Sequence, residues 1–365
     1  TNLCKTVLKT MWIVRGILLL ALLSYIVYLY ASYYRIEDNQ ELVVEAPVDH
    51  NTTGAAAVLA TDTEYSAVTY NIGFGAYLPD YSFFMDGGTS SWAESPETVQ
   101  YAINGAGELV KSLDPDFALI QEIDLDATRS YHTDEYEMLR NILPEYTTVF
   151  AQNYDSAFLF YPFTQPHGSS RAGLGLFSKY PVSSALRRSF PISTSFSKFF
   201  DLDRCYSVSR IPVDNGKELV IFNLHMSAYG NSDEIRKGQI EMLCNDMAKE
   251  YEAGNYVLCG GDFNHDLKAS EEDAESCESW AFPFPRTELP EHFAFCLDLL
   301  SSEEQAALWN SARNADMEYV PGVTYTVTLD GFIISDNIEC LSYENVNTGY
   351  SYSDHDPVKM EFVLK

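Results

Sequence analysis

The stretch Gly260-Gly261-Asp262-Phe263-Asn264-His265-Asp266 decides how the chain is read. It follows Tyr256-Val257-Leu258-Cys259, an apolar run with the length and composition of a short buried strand. Two glycines then let the backbone turn where a side chain would clash. Asp262 and Asn264 alternate across Phe263, so at strand pitch both point to one side. A carboxylate beside an amide on a rigid strand end can activate a water and orient an oxyanion or a metal ligand. The same residues also suit an Asx-rich turn, and the remainder of the chain decides between the two.

Working outward, polar groups recur where apolar runs stop. Tyr65 to Asn71 reads as a strand that ends in Asn71, and Phe117-Ala118-Leu119-Ile120 as a buried strand followed by Glu122. Strands near 205–213 and 218–224 flank the hairpin turn Asp214-Asn215-Gly216, and the second runs into His225. Tyr325 to Ile334 is a strand pair or one long strand containing Asp330, and Ser353-Asp354-His355-Asp356-Pro357 leads into the last strand. Further strands are expected at 147–152, Ala157–Tyr161 and 171–178. Helices are expected at 96–112, 134–143 and 233–252, from their apolar spacing. Helices lying between strands give one α/β domain of about 300 residues, its sheets covered by helices. Neither a G-x-x-x-x-G-K phosphate loop nor a G-x-S-x-G nucleophile elbow is present.

The first 64 residues differ. Met11 to Ala31 is apolar apart from Arg15, and about 20 such residues span a bilayer core of about 30 Å. Lys5, Lys9 and Arg15 precede its densest part, Gly16–Leu23, and Glu37, Asp38, Glu41 and Glu45 follow the run, which places the N-terminus in the cytoplasm and the bulk of the chain outside. Its length, and the lack of an A-x-A site after it, favour an uncleaved single-pass anchor in the cell membrane over a cleaved signal peptide. The expected organisation is a cytoplasmic tip and anchor at 1–35, a flexible acidic stalk at 36–64 carrying the sequon Asn51-Thr52-Thr53, and a catalytic domain at 65–365.

The net charge of −30, from 53 acidic and 23 basic residues, counts against a protein that grips nucleic acid by its phosphates. Seven scattered cysteines without a C-x-x-C pair argue against a zinc site and against a complete disulfide framework. Two carboxylates and an amide suit a hard, oxygen-ligated cation, and two histidines suit proton transfer near neutral pH.

Taken in order, Thr69-Tyr70-Asn71-Ile72, Gln121-Glu122-Ile123-Asp124, Ser170-Arg171-Ala172-Gly173-Leu174-Gly175, Asn223-Leu224-His225, Gly261-Asp262-Phe263-Asn264, Asp330-Gly331-Phe332-Ile333 and Ser353-Asp354-His355-Asp356-Pro357-Val358 resemble the motifs of the endonuclease/exonuclease/phosphatase superfamily of metal-dependent phosphohydrolases. The resemblance runs from about residue 65 to the end. It implies a four-layer sandwich, two face-to-face mixed β-sheets flanked by helices. It also implies that Glu122 is the main metal ligand, with Asn71 and Asp354 at the metal or phosphate and Mg2+ (Mn2+ in its place) as the cofactor. Asp262 would deprotonate or orient the attacking water and Asn264 would steady it. His225 and His355 would serve the phosphate, with Asp330 orienting His355. Arg171 is left between a phosphate contact and a carboxylate pair, and His50, His132, His167 and His292, outside every motif, read as surface residues.

The expected partner is a phosphoester, a lipid headgroup or small molecule near the membrane, with nucleic acid ranked below it. Aromatic segments at 77–92 and 190–200 could line a pocket, touch a membrane or pack in the core. A surface nuclease and a catalytically inactive binding protein are the alternatives.

Overall fold

A computed structural model describes residues 2–49, 58–228, 233–270 and 280–365. The sequon, His50 and Cys277 lie outside the described residues. In chain order the strands are β1 (Gln40–Glu41), β2 (Val44–Glu45), β3 (Glu64–Asn71), β4 (Phe117–Ala127), β5 (Thr147–Asp155), β6 (Ser170–Ser178), β7 (Ser184–Ser189), β8 (Cys205–Pro212), β9 (Glu218–His225), β10 (Tyr256–Asp262), β11 (Phe293–Phe295), β12 (Ala312–Arg313), β13 (Thr326–Val327), β14 (Asp330–Ser335), β15 (Ile338–Asn345) and β16 (Val358–Leu364). The helices are α1 (Asn2–Ser32), α2 (Pro96–Leu113), α3 (Glu135–Ile142), α4 (Asp233–Glu252) and α5 (Ser302–Ala307).

Among the described residues there are two seven-stranded mixed sheets, ordered β1-β7-β8-β9-β10-β14-β11 and β15-β16-β3-β4-β6-β5-β2. They face each other across one core in which Phe117, Leu119 and Phe362 of one meet Phe222, Leu258 and Phe332 of the other. The outer face of the second sheet is covered by α2 and α3, through Val99, Ile103, Val110 and Leu139. The outer face of the first is covered by α4, through Ile240, Leu243 and Met247. This is the four-layer sandwich. Every residue of β10 is buried because the strand is covered on both sides, so it reads as a continuous apolar run rather than an alternating one. Truncating a core ring such as Phe222 to alanine would cost about 3–5 kcal/mol. α2 starts where Ser95 accepts a hydrogen bond from the Thr98 N–H and Pro96 fills the first turn.

Three expectations are corrected. Ala157–Tyr161 is not a strand. Apart from a bridge between Leu159 and Gly168 it is a loop, and it turns Ala157 and Leu159 toward α1. Tyr325–Ile334 is neither one strand nor one pair, because β13 joins β12 in a small ribbon while β14 sits inside the first sheet. Residues 36–49 are not a flexible stalk: β1 pairs with β7 and β2 with β5, one at an edge of each sheet. The physical reason is Arg187, which is fully buried and donates to the carbonyls of Gln152 (2.7 Å), Glu37 (3.1 Å) and Asp203 (2.9 Å). A buried guanidinium needs such acceptors, and the segment just after α1 supplies one of them. The six described cysteines are unbridged.

Candidate active site

Strand register brings the polar ends together. β10 runs parallel to β9 and antiparallel to β14, so Asp262 lies opposite His225 on one side and Asp330 on the other. The close approach depends on Gly261 at φ +147°, where a Cβ would sit 2.0 Å from the Leu224 carbonyl oxygen. Asn71 arrives at the end of β3, and Asp354 and His355 in the loop before β16. Glu122 is not at a strand end. It sits inside the longer β4 where the pairing with β6 slips between Ile120 and Ile123. Its φ of +56° is strained for a residue with a Cβ. Such strain, on the order of 1–3 kcal/mol, is characteristic of functional positions. The slip turns the carboxylate out of the sheet and into the cleft.

Asn71 Nδ2 donates to Glu122 Oε1 at 3.1 Å and to Asp262 Oδ2 at 3.0 Å, while its Oδ1 accepts from Gly73 N–H at 3.0 Å. Asn71 therefore offers the carboxylates a donor, and its geometry is that of a bridge between them. His225 Nε2 lies 3.5 Å and His355 Nε2 3.7 Å from the same Asp262 Oδ2. His355 Nδ1 is 2.7 Å from Asp330 Oδ2, which also accepts from Ser311 Oγ at 2.7 Å. Asn264 holds the end of β10 by donating its N–H to Asp262 Oδ1 (2.8 Å) and its Nδ2 to the Met226 carbonyl (2.9 Å). Ser353 Oγ ties Asp354 to the Asn71 carbonyl. All eight residues expected from the motifs are thus within one network or its cleft.

Electrostatics separates their roles. Burial, reinforced by the charge of Asp354, pushes the Glu122 carboxyl up. Burial likewise pushes Asp262 up to about 7, against the pull of His355. His225 is held well below the usual histidine range by burial and by the Arg204 charge, so it is neutral. Burial also opposes the charge on His355, but Asp330 and Asp262 outweigh it and hold this histidine well above its ordinary value. The ligand atoms of Asp262, Asp330 and His355 lie within 4.8 Å of one another. Asp330 Oδ2 is already engaged by His355 and Ser311, which makes that trio an internally bonded relay. Glu122 and Asp354 are the pair that fits a cation: two carboxylates in one cleft whose like charges oppose each other.

The cleft has a volume of about 570 Å³. Its aromatic wall includes Phe74, Tyr77, Phe83, Phe200 and Trp280. Tyr77 and Phe83, from the first aromatic segment, are also core residues, and Phe190 from the second is wholly buried. Three arginines of the cleft were not anticipated. Arg129 is paired with Asp124 and lies over the Phe74 ring, and Arg313 donates to the carbonyls of Leu78 and Asn314. Arg204 is different: it is buried, and its Nε and Nη1 have no hydrogen-bond partner among the described residues. Its signal in the sequence was faint, a position just ahead of the strand that pairs with the His225 strand. Arg171 pairs with Asp126 at 3.1 Å on the exterior. His167 and His265 are buried, whereas His132 and His292 are exposed and pair with Asp126 and Asp336.

The sequence profile of the Endonuclease/Exonuclease/phosphatase family matches residues 68–299. With the two facing sheets and the clustered motif residues, this places the chain in that family, whose members are metal-dependent enzymes acting on phosphoester bonds. Solved structures share the fold at low identity. An endonuclease/exonuclease/phosphatase from Beutenbergia cavernae DSM 12333 aligns at a TM-score of 0.56 and 14% identity, covering 82% of this chain and 72% of that one. TDP2 from D. rerio, complexed with single strand DNA product, aligns at 0.55 and 14%, covering 82% and 99%. The catalytic domain of human Nocturnin with bound sulfate aligns at 0.53 and 14%, covering 85% and 96%. No curated protein matches the chain in sequence.

Proposed function

We propose that this protein is a membrane-anchored, extracytoplasmic hydrolase that uses a divalent cation, Mg2+ or Mn2+, to cleave a phosphoester, either a lipid headgroup or a small molecule. The observation that carries the reading is the crowding at one carboxylate oxygen, Asp262 Oδ2, which faces the amide of Asn71 and the Nε2 atoms of both histidines within 3.7 Å. Asp262 takes the proton of the attacking water, and Asn264 and Asn71 fix its direction. His355, charged beside Asp330, stabilises negative charge on a phosphoryl oxygen and carries the proton for the leaving oxygen. His225, neutral, contributes a single N–H. Glu122 and Asp354 would hold an oxygen-preferring cation, which when bound would neutralise charge on the phosphoryl oxygens. Arg204 offers unpaired donors to the same anionic group.

The proposed location is supported by α1, which is long and apolar enough to cross a bilayer, and by the basic residues on its near side. A surface nuclease is the second reading. The likeness to TDP2 speaks to fold alone, and the net charge of −30 works against tracking a polyphosphate chain. A binding-only protein would not need the full set of proton-transfer groups.

The test compares kcat/KM of the full chain, in Mg2+ buffer, on phospholipid or sphingomyelin vesicles, on soluble phosphoesters and on DNA. A preference for the vesicles or the soluble esters supports the reading. A DNA preference of about tenfold, or roughly 1.4 kcal/mol in transition-state binding, reverses the ranking, and activity on none of them points to binding alone.

A further inference from the structure

The last turns of α1 are docked on two loops of the catalytic domain. Tyr25 Oη donates to the Phe158 carbonyl at 3.2 Å, and the Phe158 N–H donates to Tyr28 Oη at 3.0 Å. The Tyr25 ring meets Phe160 edge-on with centroids 5.1 Å apart, and Tyr30 and Tyr33 meet Phe199 at 4.8 and 5.1 Å. Leu29 is buried between Leu159 and Phe199. Both loops continue into the cleft: the first supplies His167 to its lining, and the second supplies Phe200, Leu202 and Arg204.

The same loops leave large rings in the open. Phe160 is 49%, Tyr161 64%, Phe163 84%, Phe196 48% and Phe200 39% exposed. Leaving such a ring in water rather than burying it forgoes about 1.5–3 kcal/mol. Residues 156–170 contain no Asp, Glu, Lys or Arg, and residues 189–200 contain only Lys198, in a chain with 53 acidic residues. Depth gives the occupant. Tyr25 lies seven residues before the end of α1 at Ser32, about 10 Å along the axis. The headgroup layer on one side of a bilayer is only about 5–8 Å thick. A domain that touches α1 at Tyr25 therefore reaches into that layer.

We propose that Phe160, Tyr161, Phe163, Phe196 and Phe200 form a platform seated in the headgroup region around α1, so that the catalytic cleft opens onto the bilayer surface. Uncharged aromatic loops suit that interface, and the carboxylates that dominate the rest of the surface would be repelled by anionic lipid. The platform rests on the reading of α1 as the membrane anchor, and it narrows the substrate to molecules presented at the membrane plane.

The experiment reconstitutes the full chain in phosphatidylcholine vesicles containing a photoactivatable phosphatidylcholine, irradiates them and maps lipid adducts by peptide mass spectrometry. Adducts on α1 together with 157–163 or 196–200 are expected. Adducts confined to α1 overturn the platform while leaving the anchor in place, and their absence from α1 overturns the anchor. A Tyr161→Glu/Phe163→Glu chain should stay with the vesicles and retain its thermal transition. Its adducts on 157–163 should fall about tenfold or more, and unchanged loop adducts in that variant would also count against the platform.

Discussion

His355 Nδ1 lies 2.7 Å from Asp330 Oδ2, and the imidazole's other nitrogen faces Asp262 at 3.7 Å, so one histidine is held between two buried carboxylates. That arrangement keeps His355 charged although burial opposes it.

Removing Asp330's charge should therefore act through the proton on His355. In Asp330→Asn the histidine loses its principal source of stabilisation and its pKa falls, so the alkaline limb of the kcat–pH profile should move to lower pH. His355→Ala should lower kcat by roughly 10²–10⁴-fold across the range. A pH profile of Asp330→Asn identical in shape to wild type would show that the pair is structural only. The acid limb belongs to Asp262, which burial pushes up to about 7: as pH falls through that value the base is protonated and activity should drop.

The charge of Asp354 opposes that of Glu122 across the cleft, and a bound cation would relieve this. Mg2+ should raise the melting temperature with a concentration dependence set by its affinity, and a chelator should abolish hydrolysis. Glu122→Gln should weaken Mg2+ binding by about tenfold or more, read from the thermal shift rather than from turnover. An unaltered thermal shift in the variant would move the cation elsewhere.

Arg204 is buried, and its Nε and Nη1 have no hydrogen-bond partner among the described residues; buried guanidinium donors left unsatisfied cost stability when nothing binds them. Arg204→Met should raise the unfolding free energy, by about 1–4 kcal/mol, while raising KM for an anionic substrate. Urea melts and steady-state kinetics on the same preparation check both halves. A variant that is less stable and kinetically normal would assign Arg204 to packing.

His167, buried among Phe83 and Phe84, has its pKa pushed down to about 3 by burial. A histidine with a depressed folded pKa contributes stability above its unfolded pKa of about 6.5 and loses it as pH falls. Relative to His167→Phe, wild type should lose about 1.4 kcal/mol per pH unit below 6.5, or about 2 kcal/mol by pH 5. Denaturant melts of the two proteins at pH 7.5 and 5 measure the difference, and parallel stabilities at both pH values would contradict it.

The parts legible in the sequence are those whose signal is local. β9 and β10 are almost wholly buried, so Leu219–Phe222 and Tyr256–Cys259 read as apolar runs, and the polar residue that closes each strand, His225 or Asp262, is conspicuous. Helix α2 shows its apolar spacing directly, whereas α4 is weakly amphipathic as a whole and is marked only by Ile240, Leu243 and Met247, which pack in the core. What failed was set by partners far along the chain. β1 and β2 are two residues each and acidic, and only their pairing with β7 and β5 makes them strands. The apolar side chains of Ala157–Tyr161 answer to α1 rather than to a neighbouring strand. Arg204 carries no motif, since what distinguishes it, two guanidinium nitrogens without a hydrogen-bond partner among the described residues, is set by the fold and not by its neighbours in sequence.

β1 and β2 also govern how the domain separates from α1. They belong to the stretch of chain next to α1, yet they are woven into the edges of opposite sheets and latched beneath Arg187. A nick between β2 and β3 would break the covalent link to α1 and still leave the domain attached to it, because both strands would have to be drawn out of their ladders and a buried guanidinium would lose a carbonyl. Liberating this protein from its helix is thus a two-stage event, in which cleavage alone does not amount to release.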